Sequence, residues 1–339
     1  MSNFGLDIGS TSIKAAEVRR EGEKFRLVSA GLTPTPQPGM ESEAEKDLVS
    51  LATAIKKLHQ DAKITNKNVV IALPENKIFS RVITLPQMND DELAQALQWE
   101  AEQFIPMPIK DISLDSVVVS QGKKGQVEQQ MEVLVVAAPN NLIKKYQQVI
   151  GIAGFKIVAI ETELVAAARA LLAAGSPASI IVDFGAMTTD IAIVRNGLLS
   201  FSRSIPSAGQ AFTRAISTTL ALETSQAEQY KTAYGLTEKK LEGKVKEAIT
   251  PVVNLVVNEI KKAIQFWQEK EKEAIKTIIL SGGSANLPEV ISFLTKAIGV
   301  EVQVADPFVL LLKDEKQIAN FRQSTPFFPV AVGLAMKEV

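Results

Sequence analysis

The sequence predicts a mixed α/β protein of two lobes, the second repeating the opening of the first, and three observations lead there. Apolar strand-like runs alternate with helix-like periodic segments along the 339 residues. The opening pattern of strand, small-residue turn and return strand occurs twice, about half a chain apart, an internal repeat that marks a duplicated architecture. A third small-residue turn, Ser281-Gly282-Gly283-Ser284-Ala285-Asn286, stands between an apolar strand and a helix late in the chain.

The elements follow in order. Phe4 to Ile8 and Ile13 to Val18 read as strands about the turn Gly9-Ser10-Thr11-Ser12, and Glu21-Gly22-Glu23 turns into a third strand, Phe25 to Ala30. After the loop of Pro34, Pro36, Pro38 and Gly39 comes a helix to about Gln60, with Leu48, Leu51, Ile55 and Leu58 at helical spacing, and then the strand Val69 to Leu73. Residues 78 to 156 read as a small α+β insert. It holds strand Ile78 to Leu85, a helix capped at Asn89 or Asp90 and ended by Pro106, strands Leu114 to Ser120 and Met131 to Ala137 about the polar loop Gln121–Gly125, and a helix from Asn140 to Ile152. Strand Phe155 to Ile160 leads back.

The second half reopens with Ile180 to Phe184, the turn Gly185-Ala186-Met187-Thr188-Thr189, and strands Asp190 to Val194 and Leu198 to Arg203. Helices are expected at Gly209–Leu220, Ser225–Tyr234 and Thr250–Glu273, the last with Pro251 in its first turn and Val253, Val256, Ile260, Ile264 and Trp267 in a core stripe. Strand Thr277–Leu280, helix Leu287–Ile298 and a short apolar helix in 326–339 complete the chain.

Composition narrows the chemistry. With 37 Lys and Arg against 38 Asp and Glu, the net charge is −1, and no basic block offers a nucleic-acid surface. The absence of cysteine removes disulfides, zinc fingers and thiol catalysis. A single histidine, His59, removes His-based triads and multi-histidine metal sites, and its place on a helical pattern makes it a structural or surface residue. Met1 to Phe4 run straight into a strand with no basic leader, and no run approaches the ~18 apolar residues of a membrane span. The expectation is a soluble cytoplasmic chain.

Three turns could carry a ligand. Asp7 ends a buried strand before Gly9, which lets backbone approach an anion, and Ser10, Thr11 and Ser12 offer N–H groups and hydroxyls to phosphate oxygens, with Lys14 adding a positive charge. A carboxylate repels phosphate, so Asp7 suits the hydration shell of a Mg²⁺ ion. Asp183, Gly185, Ala186, Thr188 and Thr189 restate that arrangement. Two such turns facing each other would clamp a polyphosphate, with Asp7 and Asp183 sharing one hydrated Mg²⁺. The strand–Gly–Gly turn, with Gly282, Gly283, Ser284 and Asn286, lets a base or ribose lie against backbone.

These three elements in this order resemble the actin-like ATPases, whose fold is two ribonuclease-H-like lobes closing on ATP. The resemblance covers essentially the whole chain and implies ATP and Mg²⁺ as ligands. Glu163-Leu164-Val165-Ala166-Ala167-Ala168 resembles the family's E-P-x-A-A-A helix start, where the acid positions the attacking water; Leu164 stands where the family has proline. Ala227-Glu228-x-x-Lys231 resembles an A-E-x-x-K segment whose acid and lysine contact ribose and adenine, although Ser225 and Glu228 also have capping-box spacing.

The insert narrows the resemblance. Trp99-Glu100-Ala101-Glu102-Gln103-Phe104-Ile105-Pro106-Met107-Pro108 is similar to the W-E-A-E-Q-Y-I-P-F-P run of the PilM family of type IV pilus assembly, with Phe104 for tyrosine and Met107 for phenylalanine. That resemblance makes residues 78–156 an SHS2-like subdomain. Residues 1–77, 157–175 and 326–339 would form the first lobe, and 176–325 the second. It implies a scaffold that binds the short cytoplasmic N-terminal segment of a PilN-like inner-membrane protein and is held at the membrane by that partner. Slow ATP hydrolysis through Glu163 and tight binding without turnover fit the sequence equally. An FtsA-like division protein is the first alternative, although such chains carry a C-terminal amphipathic helix and this one stops at Gly333–Val339. A small-molecule kinase of the same superfamily is the second.

Overall fold

The computed structural model describes residues 3–121, 130–271, 273–312, 314, 318–319 and 321–339. From residue 122 onward, the polar loop expected at Gln121–Gly125 lies outside them.

Two large sheets carry the fold, and they repeat one strand order. In the first, β1 (Phe4–Ile8), β2 (Ser12–Glu21) and β3 (Lys24–Pro34) form consecutive hairpins, and β4 (Asn68–Leu73) and β8 (Lys156–Thr162) add in parallel beside β1, giving β3-β2-β1-β4-β8. In the second, β9 (Ser179–Phe184), β10 (Thr189–Arg195), β11 (Leu198–Ile205), β12 (Thr277–Ser281) and β13 (Glu301–Val304) take the order β11-β10-β9-β12-β13, again with the last two parallel to the first. A short β14 (Leu311–Leu312) covers the β3 edge of the first sheet, removing an open edge. Residue by residue, Asp183, Gly185 and Asp190 follow Asp7, Gly9 and Lys14 at one constant spacing.

A third, antiparallel sheet of β5 (Phe79–Pro86), β7 (Gln130–Pro139) and β6 (Ile112–Gln121) lies between them in sequence, ordered β5-β7-β6. Helix α2 (Asp90–Phe104) packs Leu93, Leu97 and Ala101 onto it. The Asn89 side chain accepts from Glu92 N, and Glu92 returns the bond to Asn89 N, so α2 opens with the expected cap. Trp99 sits on the outer side of α2, 67% exposed. Helix α3 (Asn140–Ala153) buries Tyr146, Val149 and Ile150 in one core with Leu51 and Ile55 of α1 (Glu45–Asp61), fastening the three-stranded sheet to the first large one. The opposite fastening is to the second sheet: Val82 and Leu134 share a core with Ile181, Ala192 and Leu199. There the Ser80 and Ser202 hydroxyls meet at 2.9 Å, and Lys270 pairs with Glu132 at 2.5 Å.

Helices α4 (Glu163–Leu171), α5 (Gly209–Leu220), α6 (Thr224–Tyr234), α7 (Lys244–Glu271), α8 (Val290–Ile298) and α9 (Pro329–Ala335) complete the layers. Strands β2 and β3 run on to Glu21 and Pro34, past the expected Val18 and Ala30, and three helices are also bounded differently from the sequence reading. Helix α7 begins at Lys244, so Pro251 lies inside it rather than in its first turn; the tertiary core over Val245, Ile249 and Val253 outweighs the one backbone donor that proline lacks. Helix α8 starts at Val290 rather than Leu287, because Pro288 and a left-handed Glu289 (φ 62°) interrupt the backbone after a 3₁₀ turn at Gly283–Asn286. The last helix is confined to Pro329–Ala335, behind a 3₁₀ turn at Thr325–Phe327. His59 is structural as expected: its ring packs on Phe4 and Phe155, and Nε2 lies 2.8 Å from Asn66 O.

Candidate functional site

Ligands of open α/β sheets gather where parallel strands end at their carboxyl edge. Here Asp7 stands at the end of β1, Glu163 directly after β8, Asp183 at the end of β9, and Ser281-Gly282 at the end of β12. Fold topology therefore converts four sequence-distant segments into one cleft between the two large sheets.

The two turns that follow β1 and β9 are built alike. Gly9 N donates to Ser12 O at 3.1 Å, and Gly185 N donates to Thr188 O at 3.0 Å. A Cβ on Gly9 would lie 2.9 Å from Ser12 O, and one on Gly185 3.0 Å from Thr188 O, so glycine is required by close approach. Each turn is held from outside through its carbonyls. Thr35 Oγ1 donates to Gly9 O and Thr35 N to Thr11 O, while Gly209 N and Gln210 N at the start of α5 donate to Gly185 O and Ala186 O. Among the described residues, no acceptor meets the N–H of Ser10, Thr11, Ala186 or Met187. Backbone donors presented this way form an anion nest. Of the expected hydroxyls, Thr188 Oγ1 turns inward to Asp190 Oδ2 at 2.9 Å and Thr189 Oγ1 to Ser207 O at 2.7 Å, so neither faces outward from the turn. Ser10 and Thr11 are exposed.

The residues facing Asp7 and Asp183 across their hairpins differ in sign. Lys14 pairs with Asp7 in the β1–β2 register, Nζ to Oδ2 at 3.0 Å. Burial lowers the Lys14 ammonium, but Asp7 beside it, with Asp183 and Glu163, more than offsets this and holds it above its ordinary value. In the second hairpin the partner of Asp183 is Asp190, a second buried carboxyl whose Oδ1 has no hydrogen-bond partner. Burial, then Asp190, push Asp183 up to about 7, with Ser281 Oγ donating to its Oδ1 at 3.1 Å. Burial pushes Asp190 up to about 6. Glu163 is raised well above the carboxylate range by burial and then by Asp7, Asp190, Asp183 and Glu75. Asp7, Asp183, Asp190 and Glu163 thus set four carboxyls about Lys14, an excess of acid over base.

These values fix a pH dependence. Both aspartates bind protons more tightly in the folded chain than at the ~3.9 of an unfolded Asp. Stability is therefore lost as pH rises through 6 to 7. Without nucleotide, the melting temperature is expected to fall by several degrees between about pH 5 and about pH 8, and Asp190→Asn should flatten much of that slope. A flat wild-type profile by scanning fluorimetry would contradict the buried pair.

Glu228 and Lys231 come to the second turn through Gly209. Lys231 Nζ, buried, donates to Gly209 O at 3.1 Å, Thr213 Oγ1 at 3.0 Å and Glu228 Oε2 at 2.7 Å. A Cβ on Gly209 would lie 3.0 Å from Ser284 Oγ, 3.3 Å from Gly185 O and 3.5 Å from Lys231 Nζ, so this residue is where three site segments meet. Helix α6 starts after Glu223 with no side-chain cap, which sets aside the capping role for Ser225 and Glu228. In the third turn, Gly282 (φ 81°) packs on Phe184 O and donates its N–H to Pro326 O at 2.7 Å. Gly283 packs on Phe327 and Ser284 Oγ reaches Gly185 O at 3.4 Å. Asn286 turns away, donating to Gln323 O at 3.1 Å.

Three members were not singled out from sequence. Asp190 was legible as the second-copy counterpart of Lys14. Gly209 and Glu75 carried no local signal, since only the fold brings them in. Among the described residues, no group of three or more His, Asp or Glu converges to hold a metal ion, and no helix is long and apolar enough to cross a membrane.

With this geometry in place, comparison with known proteins is decisive. Residues 5–339 match the family described as type IV pilus assembly protein PilM. The chain belongs to the PilM family. The PilM-PilN type IV pilus biogenesis complex contains a chain similar to it at TM-score 0.85 and 28% identity, covering 99% of this chain and 98% of that one. The ethanolamine utilization protein EutJ of Carboxydothermus hydrogenoformans is similar at TM-score 0.60 and 16% identity, over 99% and 89%. MreB 5 of Spiroplasma citri bound to AMPPNP is similar at TM-score 0.50 and 14% identity, over 98% and 95%. The cell division protein FtsA of Neisseria meningitidis is 24% identical over 374 residues, 97% of this chain and 88% of the relative. This PilM-family chain has the mixed α/β fold of the actin-like ATPases, with the duplicated sheets described above.

Proposed function

We propose that the chain is an ATP-binding scaffold of the type IV pilus inner-membrane assembly platform, which binds the cytoplasmic N-terminal segment of a PilN-like membrane protein and is held at the inner membrane by it. The observation that carries the nucleotide half is the pair of matching turns, each with N–H groups that no acceptor meets among the described residues and an aspartate at the end of the strand before it. In this reading the β- and γ-phosphates lie between Ser10–Ser12 and Ala186–Thr188, and Lys14 exchanges Asp7 for a phosphate. Asp7 and Asp183 would hold a Mg²⁺ ion through its waters, and its charge would offset that of the neighbouring carboxyls. Glu228 and Lys231, with the Gly282–Ser284 backbone, form the nucleoside end, and Glu163 is the residue placed to orient a water.

The partner half rests on the solved complex and on a cavity of about 540 Å³ beside the insert. Ile78, Phe79, Phe104 and Pro206 give it apolar walls, and Arg81, Arg203, Ser80 and Ser202 give it donors. That mixture suits a short extended peptide. The cavity lies between the proposed SHS2-like unit (78–156), tied by α3 to the first lobe (1–77, 157–175, 326–339), and the second lobe (176–325). Lobe closure on ATP would reshape it, and the peptide is favoured only as far as it prefers that form. A pull-down on the immobilised cytoplasmic segment of a PilN-like protein, with and without Mg·ATP, tests the reading. Retention that depends on Mg·ATP is expected; equal failure to bind under both conditions would overturn it.

A further inference from the structure

Glu75 is a buried carboxylate that none of these roles uses. It follows the end of β4, beside the end of β8, because Leu73 and Thr162 are register partners in parallel strands. From there its Oε1 accepts from Leu164 N at 3.1 Å, in the first turn of α4. Its own N–H reaches Glu163 Oε2 at 3.4 Å. One residue therefore grips both the backbone and the side chain of the α4 start. A carboxylate at a helix N-terminus is well placed for this, since the free N–H groups and the macrodipole both favour negative charge.

Glu75 also faces the other way. It lines the cavity between the three-stranded sheet and β11, and its Oε2 is 3.4 Å from Ser80 Oγ, whose hydroxyl in turn meets Ser202 of β11 at 2.9 Å. The chain of contacts runs from the cavity wall through Glu75 to Glu163, which shares the interlobe cleft with Asp7, Asp183 and Asp190. Burial raises Glu75 above the ordinary carboxylate range, and hydrogen bonds from Thr162, Leu164 and Ser80 work against this.

We propose that Glu75 is the positioning residue that holds Glu163, and that through it occupancy of the cavity by a peptide is felt at the nucleotide cleft. This rests on the functional reading above and names the residue that links its two sites. Coupling requires that both ligands bias one element with more than one arrangement; the α4 start, held by Glu75 from the cavity side, is that element.

The test measures affinity for a fluorescent ATP analogue with Mg²⁺, in the absence and presence of saturating synthetic peptide from the cytoplasmic segment of a PilN-like protein. In the wild-type chain the peptide is expected to change nucleotide affinity about fivefold or more, the lower range of typical coupling. Glu75→Ala removes the acceptor for Leu164 N and should bring that ratio to about one. Glu75→Gln keeps an oxygen in place and should restore most of the coupling, a rescue that a purely electrostatic role would not give. Should Glu75→Ala not fold, Glu75→Asp withdraws the acceptor by one methylene and is expected to uncouple in the same way. A wild-type ratio of one, or an undiminished ratio in the uncoupling variants, overturns the inference while both binding sites stand. A wild-type chain that binds neither probe overturns the functional reading and this inference with it.

Discussion

Asp183→Ala is expected to weaken Mg·ATP binding on the order of 100-fold, the upper end of what losing a supporting partner of a bound metal costs. Asp183 is the half-buried carboxyl at the end of β9, just before the second turn, and with Asp7 it is the proposed anchor of the hydrated cation. The same substitution removes one of two carboxyls that face each other in the β9–β10 register, so the nucleotide-free chain should melt no lower than wild type at pH 7.5, and the repulsion relieved should raise it. Loss of affinity together with retained or increased stability separates a ligand role from simple unfolding. Because Asp183 is pushed up to about 7, wild-type affinity should also fall as pH drops from about 8 to about 6, where the carboxyl gains a proton. Unchanged affinity of Asp183→Ala in a fluorescent-nucleotide titration would dismiss the two-hairpin clamp.

Gly333→Ala should be the most damaging single methyl in the fold. Helix α9 lies against both β1 and α4, and a Cβ on Gly333 would fall 1.8 Å from Ala166 O. On the facing side a Cβ on Gly5 would fall 2.0 Å from Ala331 O. Both contacts are backbone, so no side chain can swing aside; α9 must lift off. Arg169 would then lose its 2.8 Å bond to Gly333 O while still paired with Glu161. Overpacking of this kind costs ~3 kcal/mol or more. For a chain of 339 residues that corresponds to a drop of roughly 4 °C or more in melting temperature by calorimetry. A variant within about 1 °C of wild type would show that α9 is not wedged as described.

How much of this was legible in the sequence depends on the range of the interaction. Elements written by local chemistry were legible: the cap expected at Asn89 or Asp90, which falls at Asn89, the two glycine turns and the core stripe Val253, Val256, Ile260 and Trp267. Positions set by tertiary packing were not. Pro251 reads as a first-turn proline, yet the core over Val245 and Ile249 extends the helix past it. Glu75, in Pro-Glu-Asn-Lys, carries no local signal, and only the parallel pairing of β4 with β8 brings it to the start of α4. Thr189 reads as a phosphate ligand, but its strand direction turns the hydroxyl to Ser207 O. Asp190 lay between these cases: the repeat places it at the position that Lys14 holds in the first hairpin, and the change of sign there sets two carboxyls face to face.

The most direct test of the clamp is amide hydrogen exchange of the wild-type chain with and without Mg·AMPPNP. Slowed exchange at Ser10–Ser12 and at Ala186–Thr188 together, in one titration, is the expected result, because the N–H groups of both turns would close on the same phosphates. Protection confined to one turn, or to neither, would contradict a nucleotide held from both lobes.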